Sequence, residues 1–174
     1  MKKTKKIAVC ALLSAFSVVL LAIGALFNVL DLSMAVIASL PVLFAHLEFR
    51  GSYPWLLWGV TSLLSLLLVT PKVAPLLYAI LLGFYPILKS ALETLPRVLE
   101  WILKLALCQA SFWAYFLLGA FVFMLPDSMM PDSWIFWALN GGVMLVFVLY
   151  DIALSRLVTL YAFRLRPRFA KFLQ

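Results

Sequence analysis

Residues 7–27, IAVCALLSAFSVVLLAIGALF, contain no charged side chain. At about 1.5 Å per residue this run is about 30 Å long, the thickness of a bilayer's hydrocarbon core. It follows a basic start, Lys2, Lys3, Lys5 and Lys6, and ends at a polar break, Asn28 to Asp31. A basic start before an apolar run is also the pattern of a signal peptide. The run is long for the apolar region of one, and no small-x-small cleavage site precedes the next apolar run, so the sequence predicts a retained helix.

Working outward, the same reading applies at 32–47, 54–70, 74–92, 98–125 and 134–160, with breaks at Glu48–Tyr53, Thr70–Val73, Glu93–Arg97 and Pro126–Ser133. Across the 174 residues, 66% are apolar and 12% charged. Soluble domains average about 45–50% and about 25%, so too few charges are present to cover a water-facing surface. The prediction is an all-α, multi-pass membrane protein: one transmembrane domain over 1–174, a compact bundle of six helices in the lipid bilayer.

Charge sets the expected orientation. The formal net charge is +7, from 14 Lys and Arg against 7 Asp and Glu. In a soluble protein this would suggest nucleic acid; here the placement of the charges points to topology and no nucleic-acid partner is expected. With both termini cytoplasmic, Arg50, Lys89, Arg97, Lys104, Arg156 and both basic tails lie inside or near the inner interface. Only Lys72 lies outside, as the positive-inside rule requires. Pro41, Pro75, Pro86 and the Asn140-Gly141-Gly142 sequence interrupt spans, and freed backbone groups in lipid need partners in protein or a cavity. The two halves show no internal repeat, which argues against a transporter built from inverted repeats.

The residue inventory argues against an enzyme. His46 is the one histidine, two residues from Glu48, and no HExxH, GxSxG or glycine-rich phosphate loop occurs. Cys10 and Cys108 lack CxxC spacing, so neither a metal site nor a disulfide framework is expected, and no cofactor is implied. With no ATP-binding motif, ATP-driven transport would draw its energy from another chain. Lys89, Glu93, Arg97, Glu100 and Lys104 follow steps of 4, 4, 3 and 4, an alternating-sign stripe expected on an amphipathic segment at the cytoplasmic surface, divided by Pro96. In the first span, Ala11 and Ala15 form a small-xxx-small pair that lets another helix approach closely.

The basic amino terminus leading into the Ala11/Ala15 helix, the Asp31-Leu32-Ser33-Met34 start of the second span and the six-span layout resemble the S components of energy-coupling factor transporters. These are the substrate-capture subunits of bacterial vitamin and metal importers. The resemblance implies residence in the bacterial cell (cytoplasmic) membrane. It implies as partners a transmembrane T component, packed on Ala11 and Ala15, and two ATP-binding subunits. It also implies capture of a vitamin-like or other small molecule near the outer face, by external loops and the last three helices, though no substrate residue carries over by motif. The alternative in the same layout is a non-enzymatic scaffold of the rod-shape or morphogenesis kind, MreD-like.

The expected substrate-binding residues come from the outer half of the predicted topology: Asp31, Lys72, Tyr78, Trp134, Trp137 and Asn140. Trp134, Trp137 and Gly141 follow helical steps of 3 and 4 with Asn140 beside them, which would make an aromatic wall with a few polar groups. An interfacial aromatic belt has the same composition. Asp151, an ionisable group within a span, is a further functional candidate.

Overall fold

The computed structural model describes residues 3–27, 30–49, 51–123, 134–161 and 163, with side chains of the sixth helix described up to Gly119. The elements are α1 (Lys3–Leu26), α2 (Asp31–Glu48), α3 (Tyr53–Leu68), α4 (Val73–Leu77), a π-helical segment (Tyr78–Leu82), α5 (Tyr85–Leu92), α6 (Arg97–Phe123) and α7 (Trp134–Leu160). No strand occurs among the described residues. Five helical stretches are long and apolar enough to cross a membrane: α1, α2, the run Val73–Leu92, α6 over Arg97–Gly119, and α7. The third predicted span differs. It is a helix of 16 residues, about 24 Å long against a hydrocarbon core of about 30 Å. The break predicted at Pro126–Ser133, Arg50 and the basic tail from Arg164 to Lys171 lie outside the described residues.

The chain divides into two compact units, residues 2–104 and residues 105–174 with Met1, the division falling within α6. In the first unit α2 packs against α1, α3, α4, the π segment and α5. Its buried face is made largely of small residues, Ala35, Ala38, Ser39 and Ala45 with Val42 and Leu43. The facing side of α1, Cys10, Ser14, Ser17, Leu21 and Gly24, follows steps of 4, 3, 4 and 3. Small residues let two backbones approach, the main source of packing energy where lipid is as apolar as leucine. Gly24 shows the closeness: a Cβ there would lie 2.8 Å from Met34 Cβ. Ser17 donates to the Ala38 carbonyl at 3.1 Å, tying α1 to α2.

The pattern of α3 is that of a soluble helix turned inside out. Thr61, Ser62 and Ser65 are buried with Pro54 and Leu57, while Leu56, Leu63, Leu67 and Leu68 are exposed. Such a helix suits a hydrocarbon solvent. The run Val73–Leu92 departs from α geometry in its middle, where Gly83 N–H donates to the Tyr78 carbonyl, five residues back, at 2.7 Å. Pro86 supplies a cause: it has no N–H for the Leu82 carbonyl, and its ring crowds that carbonyl. In the turn before α3, Gly51 takes φ +102°, a left-handed conformation that side-chain-bearing residues rarely adopt.

In the second unit, Phe136 of α7 is buried among Phe112, Trp113 and Phe116 of α6, with ring centroids 5.3, 5.6 and 5.0 Å away. The buried face of α7 continues through Asn140, Phe147, Tyr150, Asp151 and Leu154.

Candidate functional site

Thr61 of α3 and Tyr78 of the π segment are both fully buried. The Thr61 hydroxyl is the polar side chain beside the Tyr78 phenol. It stands within hydrogen-bond reach of the phenol, and neither oxygen has a partner beyond the other, while the buried Ser62 hydroxyl has none. Thr61 stands seven residues before the end of α3 and Tyr78 five after the start of α4, so each is about 7–11 Å from the same end of its helix pair. Buried hydroxyls in a protein interior are nearly always paired. An unmade bond costs about 1–3 kcal/mol.

The surroundings hold this pair firmly. Trp58, one turn before Thr61, donates its indole N–H to the Ala79 carbonyl at 3.2 Å, so the indole satisfies a carbonyl of the π segment. Its ring packs edge-on against Trp55 and Phe84, at 5.8 and 5.9 Å. Gly83 completes the packing, because a Cβ there would meet Trp58 Cδ1 at 2.6 Å and the Tyr78 carbonyl oxygen at 2.8 Å. π segments often occur at functional sites.

Of the residues expected from sequence, Asp31, Lys72 and Tyr78 belong to the first unit and Trp134, Trp137 and Asn140 to the second. Asp31 begins α2 with its Oδ1 buried and unpartnered. Lys72 is half-buried and donates to the Val69 carbonyl at 2.7 Å, a bond that satisfies a carbonyl at the C-terminal end of α3, where a cation suits the helix dipole. Trp134 and Trp137 are 78% and 63% exposed, whereas Asn140 is 8% exposed with an unpartnered Nδ2. The expected wall of two tryptophans around Asn140 therefore does not form within this unit. Asn140 lies one turn from Phe136 on the buried face, and the tryptophans point outward. Ala11 and Ala15 are exposed, away from the Ser14, Ser17 and Leu21 face that meets α2.

The charge stripe is organised differently from its expected surface form. Between Glu93 and Pro96 the chain leaves helical geometry, and α6 begins at Arg97. Lys89 is 2% exposed and paired with Glu93 at 2.8 Å; Lys104 is 1% exposed and paired with Glu100 at 2.6 Å. Lys104 also stands over the Trp101 ring, 5.5 Å from its centroid. Val98, Leu99, Ile102 and Leu103 face outward instead. Both lysines thus lie inward and the leucine side outward, opposite to a helix floating on a water interface.

His46 Nε2 lies 2.8 Å from Ser90 Oγ, which itself donates to the Ile87 carbonyl at 2.9 Å. With the serine proton so directed, the imidazole N–H is the donor. The pair fastens α2 to α5 rather than presenting a nucleophile to a base. Among the described residues, no group of three or more His, Cys, Asp or Glu is placed to hold a metal ion. Asp151 is 4% exposed within α7.

Sequence reasoning named Tyr78 but did not single out Thr61 or Ser62, and it did not foresee the burial of Lys89 and Lys104. The available signal was the spacing of Pro54, Leu57, Thr61 and Ser65, a small and polar face in an otherwise leucine-rich helix. No family model matches the chain, and no curated protein or solved structure matches it either.

Proposed function

We propose that the protein is a membrane-embedded substrate-binding subunit of a bacterial ATP-driven importer, of the energy-coupling factor S-component kind, residing in the cytoplasmic membrane. It crosses six times with both termini in the cytoplasm, α3 being its shortest crossing. Its substrate is a vitamin-like or other small molecule, and its partners are a transmembrane T component and two ATP-binding subunits. It has no ATPase or other enzymatic activity of its own.

The observation that carries this reading is that each unit, taken by itself, keeps a buried polar side-chain atom without a partner, Asp31 Oδ1 in the first and Asn140 Nδ2 in the second. Polar atoms left unsatisfied in a helical membrane interior are costly, and sites that must accept a ligand's polar groups are where such a cost is retained. The exposed Ala11 and Ala15 give α1 a side on which another helix can pack closely. Affinity purification from the native membrane tests the reading. Co-purifying ATP-binding subunits are expected; co-purifying cell-wall synthesis factors, with no ATPase, would replace it with the morphogenesis scaffold.

A further inference from the structure

We propose that the C-terminal end of α7 holds an anionic phospholipid, in a groove formed by Arg156, Thr159, Leu160 and Phe163. The inference is independent of the importer reading, since it concerns the lipid around the protein and not a captured molecule.

The groove has a volume of about 460 Å³ and lies within the second unit. Its lining residues follow steps of 3, 1 and 3, the spacing of a single helical face. Arg156 stands 22 positions after Trp134, about 33 Å along α7. That length is close to the hydrocarbon thickness of about 30 Å, so the guanidinium reaches the headgroup layer at one surface when Trp134 marks the other. Arg156 is exposed, and among the described residues no group pairs with its guanidinium. The Thr159 hydroxyl donates to the Ser155 carbonyl at 2.9 Å, which leaves the guanidinium as the donor that meets a ligand. A guanidinium matches a phosphate through two parallel hydrogen bonds. Leu160 and Phe163 are 52% and 83% exposed; a free phosphate gains nothing from them, whereas a lipid brings apolar carbon together with its phosphate. Charge along the chain complements the same occupant. No acidic residue follows Asp151, while Arg156, Arg164, Arg166, Arg168 and Lys171 do, and a basic cluster at the end of a membrane helix attracts anionic lipid. The positive-inside rule accounts for that charge as topology, but it does not call for an arginine set in an apolar groove.

Native mass spectrometry of the full-length protein tests the proposal, with phosphatidylglycerol or phosphatidylcholine added to the detergent micelles. One phosphatidylglycerol should stay bound at concentrations where phosphatidylcholine does not. Arg156→Gln should weaken that binding about fivefold, the effect of one cation at a lipid surface. Phe163→Ala keeps the charge and should weaken it as well, because the apolar wall is lost. Lys3→Gln, which removes one charge from the exposed start of α1, should leave it unchanged. Both groove side chains are exposed, so an unaltered unfolding midpoint without lipid is expected for the two variants. Equal binding of phosphatidylcholine would overturn the proposal, as would full retention of phosphatidylglycerol by both groove variants. Equal weakening by Arg156→Gln and Lys3→Gln would overturn it by showing general charge attraction. Loss of the bound lipid on replacing ammonium acetate with ammonium phosphate would do so by making the groove a site for free phosphate.

Discussion

A methyl group at Gly83 would meet Trp58 Cδ1, the Tyr78 carbonyl oxygen and Tyr78 Cε1 at 2.6–2.9 Å. The indole is held by its bond to Ala79 and by Phe84, and the carbonyl belongs to the π segment's own backbone. Gly83→Ala should therefore lower stability by about 1–3 kcal/mol, the usual range for overpacking. Chemical unfolding in detergent measures it, and an unchanged midpoint would show that the indole swings aside freely. Lys104 is a second residue-scale case. Its ammonium is buried against Glu100, whose side chain keeps 17% exposure. Lys104→Met should cost about 3 kcal/mol, towards the low end for a broken buried pair because solvent reaches the carboxylate left behind. The double variant Glu100→Gln/Lys104→Met should recover most of that loss; no recovery would place the lysine's main partner elsewhere.

On the scale of single helices, α1 and α3 each bury a side made mostly of small residues, and α1 carries a further small pair on its outer side. In α3 the small side is buried: Ser65 is fully buried while Leu67 is 70% exposed. Leu67→Ala should change stability by less than about 0.5 kcal/mol, whereas Ser65→Leu, adding volume to the packed side, should destabilise by about 1–3 kcal/mol. A soluble helix would show the opposite ranking, so the pair of measurements also tests what surrounds α3. In α1 a second small pair, Ala11 and Ala15, remains outward. Ala11→Trp and Ala15→Trp should leave insertion and folding intact while abolishing co-purification of the proposed T component. Retained partners would remove α1 as the docking helix.

For the whole molecule the decisive quantity is orientation. Both cysteines are buried thiols, so the wild-type protein gives a low background for thiol labelling. Lys72→Cys, in the short connection before α4, should react with a membrane-impermeant maleimide on intact cells. Lys5→Cys, on the exposed start of α1, should react only after permeabilisation. The reverse pattern would invert the topology, and labelling of both on intact cells would change the number of crossings.

Membrane residence and helical class were legible in the sequence because they depend on composition along the chain: an uncharged run of about 30 Å is a property of consecutive residues. The helical stretches containing Lys3–Leu26, Asp31–Glu48, Val73–Leu92, Arg97–Gly119 and Trp134–Leu160 follow from that arithmetic, and the Pro96 break from the chemistry of proline. Which side of each helix faces inward was not legible in the same way. In lipid, leucine gains little by burial, so apolar periodicity loses its usual meaning and small residues mark the packed side. For that reason Trp134 and Trp137, grouped by spacing with Asn140, are exposed while Asn140 is buried. The alternating charges from Lys89 to Lys104 likewise read as a solvated stripe, yet both lysines are buried. Thr61 and Tyr78 are 17 positions apart in the chain; only the packing of α3 against a π-distorted helix brings their hydroxyls together, because it is tertiary contact that decides which polar groups meet.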